Sequence, residues 1–173
     1  MIQTTDLTSR VLAERGHEGG SWPWTLRFLQ AADEEFGGLW REVTLPAEEA
    51  AAVRLPEHRG EPCRGDRLAL VDRGGASVAE VARRLTEQAE SYARLNPECW
   101  SRIARAREAP LSTIVLVPAP LDIADHDSLR GGAGRLFHVD GFHRLVGWAL
   151  VGRLQAGQPA IRAFVAGRAT PGA

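Results

Sequence analysis

The sequence predicts a single α+β domain, with about five short strands in a mixed sheet and four to five helices. Three observations predict it. Segments of β-branched or alternating residues recur at 39–45, 67–72, 111–117, 136–139 and 160–165. Between them lie segments with apolar residues at three- and four-residue spacing, in irregular rather than strictly alternating order. No internal repeat and no linker of biased composition divides the 173 residues.

In chain order, Ser21 reads as a helix N-cap with Pro23 in the first turn, where its missing N–H costs little. The helix predicted over 24–36 is stopped by Gly37-Gly38. Leu39–Leu45 follows as a strand, and Pro46 opens a short helix over 47–53. Residues 55–66, rich in Pro, Gly and charge, form a loop ahead of the strand at 67–72. Gly74-Gly75 turns the chain. Ser77 with Glu80 three residues later is a capping-box signature. The helix it opens carries Val78, Val81, Ala82, Leu85, Ala89 and Tyr92 on one face. Asn96-Pro97 breaks it, and a further helix covers 97–107, bringing Arg102, Arg105 and Arg107 near one another. The strand at 111–117 is bounded by prolines, and a polar, glycine-rich loop covers 122–135. After the strand at 136–139, Asp140-Gly141 turns into an amphipathic helix over 142–154 with Phe142, Leu145, Val146, Ala149 and Leu150 inward.

Composition excludes several functions. The 21 basic and 22 acidic residues nearly cancel, to a net charge of -1, which argues against a nucleic-acid binder. Every basic residue is Arg, so lysine Schiff bases and lysine-bearing phosphate loops are excluded. Cys63 and Cys99 form no Cys-x-x-Cys and are expected as two buried free thiols, with one disulfide between them as the alternative. Residues 1–20 hold no apolar signal-peptide core, and the apolar run at 114–121 is broken by Pro118 and Pro120. A cytoplasmic protein without membrane contact is expected.

The sharpest local feature is His138-Val139-Asp140-Gly141-Phe142-His143-Arg144, at a strand-to-helix turn. Free N–H groups at a helix N-terminus attract anions, and the helix dipole reinforces them. Gly141 would let a ligand approach the backbone, while His143 and Arg144 add donors in the first turn. Strand alternation directs His138 and Asp140 to one side. Phosphate, sulfate or carboxylate are the natural guests. The simpler alternative is that Asp140 caps the helix, Phe142 is core and Arg144 is solvated. Trp148, four residues after Arg144, is placed either to stack on its guanidinium or to fill the core.

Other features are weaker. Asp122, Asp125, His126 and Asp127 match no metal-ligand spacing and read as a solvated or gating loop. Gly131-Gly132-Ala133-Gly134 lacks the ending of a phosphate loop and reads as a hinge. Trp22, Trp24 and Phe28 offer aromatic area for the core or for a partner. Ser112 and Thr113 carry no nucleophile motif.

Two resemblances meet at this turn. Asp140-Gly141-Phe142-His143-Arg144-Leu145 resembles the Asp-Gly-x-His-Arg signature of the ParB and sulfiredoxin-like fold, whose strand–turn–helix corner holds nucleotide phosphates. Sulfiredoxins carry a Cys before the His-Arg pair; Phe142 stands there, so reductase chemistry is not implied. The C-terminal half, from 111–120 through His138 to Arg144 and on to Gly147-Trp148-Ala149-Leu150, resembles the small subunit of the two-protein aziridine-forming enzymes of azinomycin and vazabitide biosynthesis.

That resemblance implies a larger partner subunit and a carrier-protein-bound amino acid derivative as substrate. An amine displaces sulfate from the neighbouring carbon, with no metal or cofactor. On this view His143, Arg144 and the first-turn backbone at Gly141 take the anion, while His138 or Asp140 serves as base or orienter. The rival expectations are a stand-alone nucleotide- or anion-binding protein and a non-catalytic stabilising subunit.

Overall fold

The computed structural model of the chain describes residues 1–15, 22–56, 71, 75–129 and 136–167. Its centre is a mixed seven-stranded sheet in the order β1-β2-β7-β5-β6-β3-β4. The strands are β1 (Ile2–Gln3), β2 (Leu39–Leu45), β3 (Arg54–Leu55), β4 (Ala76–Ser77), β5 (Ile114–Val117), β6 (Phe137–Asp140) and β7 (Ile161–Ala166). The helices are α1 (Thr4–Arg15), α2 (Trp22–Phe36), α3 (Ala47–Ala51), α4 (Val78–Leu95), α5 (Pro97–Glu108) and α6 (Phe142–Leu150). A 3-10 turn covers Ala124–Leu129.

Helices cover both faces of the sheet. On one face Ile114, Leu116, Ile161, Ala163 and Val165 pack against Val81, Leu85 and Tyr92 of α4, Ile103 of α5 and Leu145 and Trp148 of α6. On the other, Trp40, Val115, Val117, Phe137, Val139 and Phe164 pack against Leu7, Val11, Phe28 and Leu29 of α1 and α2. Covering both faces is why all four residues of β5 are buried and its sequence is continuously apolar rather than alternating.

The α+β class holds, with more elements than the expected count. Helix α1 was not anticipated; among its described side chains the buried apolar ones are Leu7 and Val11, one turn apart. Strands β1, β3 and β4 are two residues long, too short to carry alternation, and exist through pairing. Arg54 and Leu55 lie opposite Ser77 and Ala76, and Arg54 also pairs with Phe137 of β6. The strand expected at 111–117 starts only at Ile114, because residues 111–113 approach α6 instead. The helix expected over 142–154 ends at Leu150, and Gly152, at φ +75°, reverses the chain. The glycine loop at 131–134, the Ser21 cap, Cys63 and, apart from Val71, the strand at 67–72 lie outside the described residues.

The capping box at the start of α4 forms as expected. Ser77 Oγ accepts from Glu80 N–H at 3.2 Å, and Glu80 Oε2 accepts from Ser77 N–H at 2.6 Å. These bonds, with the nearby Arg54 and Arg84 charges, hold the Glu80 carboxyl below its ordinary range. Helix α4 is kinked at Gln88, and Asn96 ends it and starts α5. The turn folds α5 back beside α4, and both pack on α6. Gly147 lies where α5 and α6 approach most closely. A Cβ there would stand 2.8 Å from Ala106 Cβ and 2.9 Å from the Ile103 carbonyl oxygen.

Candidate functional site

Strand β6 runs directly into α6 through Gly141, the N-cap of the helix, at φ +108°. A side chain at this φ would be strained, and its Cβ would stand 2.9 Å from Ile114 Cγ2 and 3.4 Å from Arg144 Nη2. The space a side chain would take at Gly141 is therefore filled by the protein's own groups. The N-cap of the helix is Gly141 rather than Asp140, and as a glycine it supplies no side-chain cap. The pairing of β5 with β6 slips by one residue, so that Asp140 lies opposite Val115 and His138 opposite Leu116. This bulge sits at the two polar residues of the strand.

His138 and Asp140 both reach α6. The His138 ring meets the Phe142 ring edge-on at 6.0 Å, and Asp140 Oδ2 accepts from Arg144 Nη2 at 2.8 Å. The aspartate is almost wholly buried and Arg144 about one-fifth exposed, at 7% and 21%. Arg144 Nη1 donates to Ser112 Oγ at 2.7 Å and to the Thr113 carbonyl at 2.8 Å. The guanidinium thus ties the end of β6 to the approach to β5. Sequence reasoning passed over Ser112 and Thr113 because it looked for nucleophiles, whereas here one hydroxyl and one carbonyl act as acceptors.

His143 is partly exposed and turns toward α5, its Nε2 3.3 Å from Cys99 Sγ. Tyr92 Oη donates to the same sulfur at 3.1 Å. Neither Tyr92 nor Cys99 was anticipated as part of this corner. Their proximity to each other is implicit in the turn at Asn96-Pro97; their proximity to His143 arises only when α5 packs on α6.

Trp148 is wholly buried, and its Nε1 donates to the Ala109 carbonyl, which also accepts from Arg153. It is a core residue bracing the end of α5. Phe28 is likewise core, while the side chains of Trp22 and Trp24 lie outside the described residues.

The acidic segment at 122–127 does not converge on a common point. His126 is fully buried: its Nδ1 accepts from Leu121 N–H at 2.9 Å, and its Nε2 lies 3.0 Å from the His138 carbonyl. An imidazole that accepts at Nδ1 is neutral, with its proton on Nε2 and donated to that carbonyl. Burial pushes its pKa down to about 4. Asp125 lies 3.6 Å from Arg27, and its carboxyl is raised by burial against the opposing pull of that arginine. Glu35 accepts from Asp122 N–H. Among the described residues, no group of three or more His, Cys, Asp or Glu side chains could hold a metal ion. Among the described residues, no helix is long and apolar enough to cross a membrane.

The corner therefore gathers two imidazoles, a carboxylate, a guanidinium and a thiol where β6 meets α6. The curated proteins and the solved structures contain no match to this chain. A family model described as a family of unknown function (DUF6309) matches residues 13–173. With nearly the whole chain matched, the protein belongs to the DUF6309 family.

Proposed function

We propose that this chain is the small subunit of a cytoplasmic two-protein enzyme that closes an aziridine ring on a carrier-protein-bound amino acid derivative. The amine nitrogen bonds to the neighbouring carbon as that carbon's bond to a sulfate oxygen breaks. Sulfate leaves with the bonding electron pair, and a base takes the nitrogen's proton. The observation that carries the reading is the placement of His138, Asp140, His143 and Arg144 on the first turn of α6 and the strand entering it. The resemblance of the C-terminal half to such small subunits supports it.

The steps of this displacement ask for what the corner offers. The nitrogen and leaving oxygen must be held on opposite sides of the carbon, a positioning task. Growing charge on the sulfate is stabilised by preorganised donors: His143, Arg144 and the first-turn backbone of α6. Asp140, engaged by Arg144, is the orienter, which leaves His138 as the proton acceptor. The base and the anion donors then sit on adjacent turns of backbone.

A second reading is favoured by a specific observation. Arg144 already bonds Asp140, Ser112 and Thr113, and Ile114 fills the side-chain space at Gly141, as in a corner built for rigidity. On this reading the chain stabilises its partner and contributes no reacting group. Assembled enzyme carrying His143→Ala or Arg144→Lys separates the two. Loss of at least tenfold in turnover with the complex intact supports the catalytic reading; full turnover sinks it and leaves the stabilising role.

A further inference from the structure

The parallel pairing of β3 with β6 ends one rung early. Arg54 lies opposite Phe137, and its N–H donates to the Leu136 carbonyl at 3.0 Å. Donors facing one neighbour recur at every second residue of a strand. The next rung in this register therefore runs from the N–H of residue 56 to the His138 carbonyl. Residue 56 is Pro56, which has no N–H to give. The His138 carbonyl, on a strand buried at all four residues, needs a donor from elsewhere.

His126 supplies it. The chain ahead of the ring is tightly turned: Ile123 N–H donates to the Leu121 carbonyl and His126 N–H to the Ile123 carbonyl, both at 2.9 Å. The ring thus folds back on the segment leaving β5, where Nδ1 accepts from Leu121 N–H at 2.9 Å. With Nδ1 engaged as an acceptor, the ring proton is on Nε2, 3.0 Å from the His138 carbonyl. Phe28 of α2 meets the ring edge-on at 5.1 Å. On its other side His138 faces the bulge, where pairing with β5 slips between Val115 and Leu116. A bulge re-aims side chains, so regular pairing with β5 does not fix the direction of the His138 side chain.

We propose that His126 is a positioning residue for His138. Its Nε2–H takes the place of the strand donor missing at Pro56 and pins the backbone from which the His138 imidazole reaches Phe142 and the corner. That the ring so aimed is a proton acceptor rests on the function proposed above. The pinning itself does not.

The test is NMR on the full chain labelled with ¹³C and ¹⁵N. No substrate or partner is present, so a failed positioning role is distinguishable from a failed assignment of the reaction. Wild type is expected to show a His126 Nε2 proton protected from exchange, and contacts between the His138 and Phe142 rings. His126→Phe keeps an aromatic ring beside Phe28 but has no donor. Its expected result is a shift of the His138 ring signals and loss of their contacts with Phe142, with Tyr92 and Trp148 signals of the opposite core unmoved. In His126→Gln the amide can accept from Leu121 and donate to His138, and a protected amide proton should return with the wild-type His138 signals. The His138 ring must move where the bond to its carbonyl is lost and stay where it is kept; either exception overturns the proposal. So does a wild-type His126 with its proton on Nδ1, or with an Nε2 proton that exchanges as fast as that of a free imidazole. Should His126→Phe not fold, wild type and His126→Gln decide by the same criterion.

Discussion

Gly147→Ala perturbs the contact on which the whole corner depends. The added methyl would stand 2.8 Å from Ala106 Cβ, 2.9 Å from the Ile103 carbonyl oxygen and 3.0 Å from the Arg107 nitrogen. Two of these three neighbours are main chain and cannot rotate away. Ordinary contact begins near 3.4 Å, so α5 and α6 must part by roughly 0.6 Å. Overpacking of this kind costs about 1–3 kcal/mol, and three simultaneous contacts point to the upper end. Alanine's better helix propensity returns about 1 kcal/mol. The expected net loss is about 2 kcal/mol, a fall in Tm of roughly 4–8 °C for a chain of this size. Thermal and urea unfolding of the two proteins measure it. A variant as stable as wild type would show that the helices have room, and the close crossing that brings Cys99 to His143 would be refuted.

The remaining predictions concern two buried polar groups. His126 is neutral in the folded chain with its pKa at about 4, while in the unfolded chain it titrates near 6.5. The unfolded state therefore binds more protons between these values, and stability falls as the pH drops from about 6.5 to about 4. The loss is roughly 3 kcal/mol, opposed at the acid end by the raised carboxyl of Asp125. Urea unfolding at pH 7.5 and 4.5 measures the slope; His126→Asn should flatten it, and a wild type with equal stability at both values contradicts the neutral assignment. Asp140→Asn leaves the Arg144 guanidinium without its buried carboxylate and should cost about 2–3 kcal/mol, less than a fully buried pair because Arg144 is partly exposed. An unchanged urea midpoint would mean that the ion pair does not hold β6 to α6.

What the sequence revealed was mostly local. The capping box at Ser77 and Glu80, the break at Asn96-Pro97 and the alternation of β2 depend on neighbours in the chain, and each formed where expected. The turn at Asp140-Gly141 was legible for the same reason, since a glycine between an apolar strand and an apolar-faced helix leaves few alternatives. Pairing partners were not legible. Strands β3 and β4 have two residues each and gain their identity by pairing, β3 with β6 and β4 with β3. Arg144 was read as a donor for a ligand, whereas its bonds to Ser112 and Thr113 cross 31 or 32 positions in the chain. Cys99 looked like a core thiol in the sequence, and it is one. Its contact with His143 spans 44 positions and follows from helix packing that no local pattern encodes.

The most direct measurement is the mass of the carrier-bound product. The chain is combined with the larger subunit proposed as its partner and with a carrier protein loaded with a sulfated amino acid bearing a neighbouring amine. The account predicts that the acyl group becomes lighter by the elements of sulfuric acid, with one sulfate released per carrier, only when this chain is present. Release of sulfate at the same rate by the larger subunit alone, or an acyl group of unchanged mass with both subunits present, would contradict it.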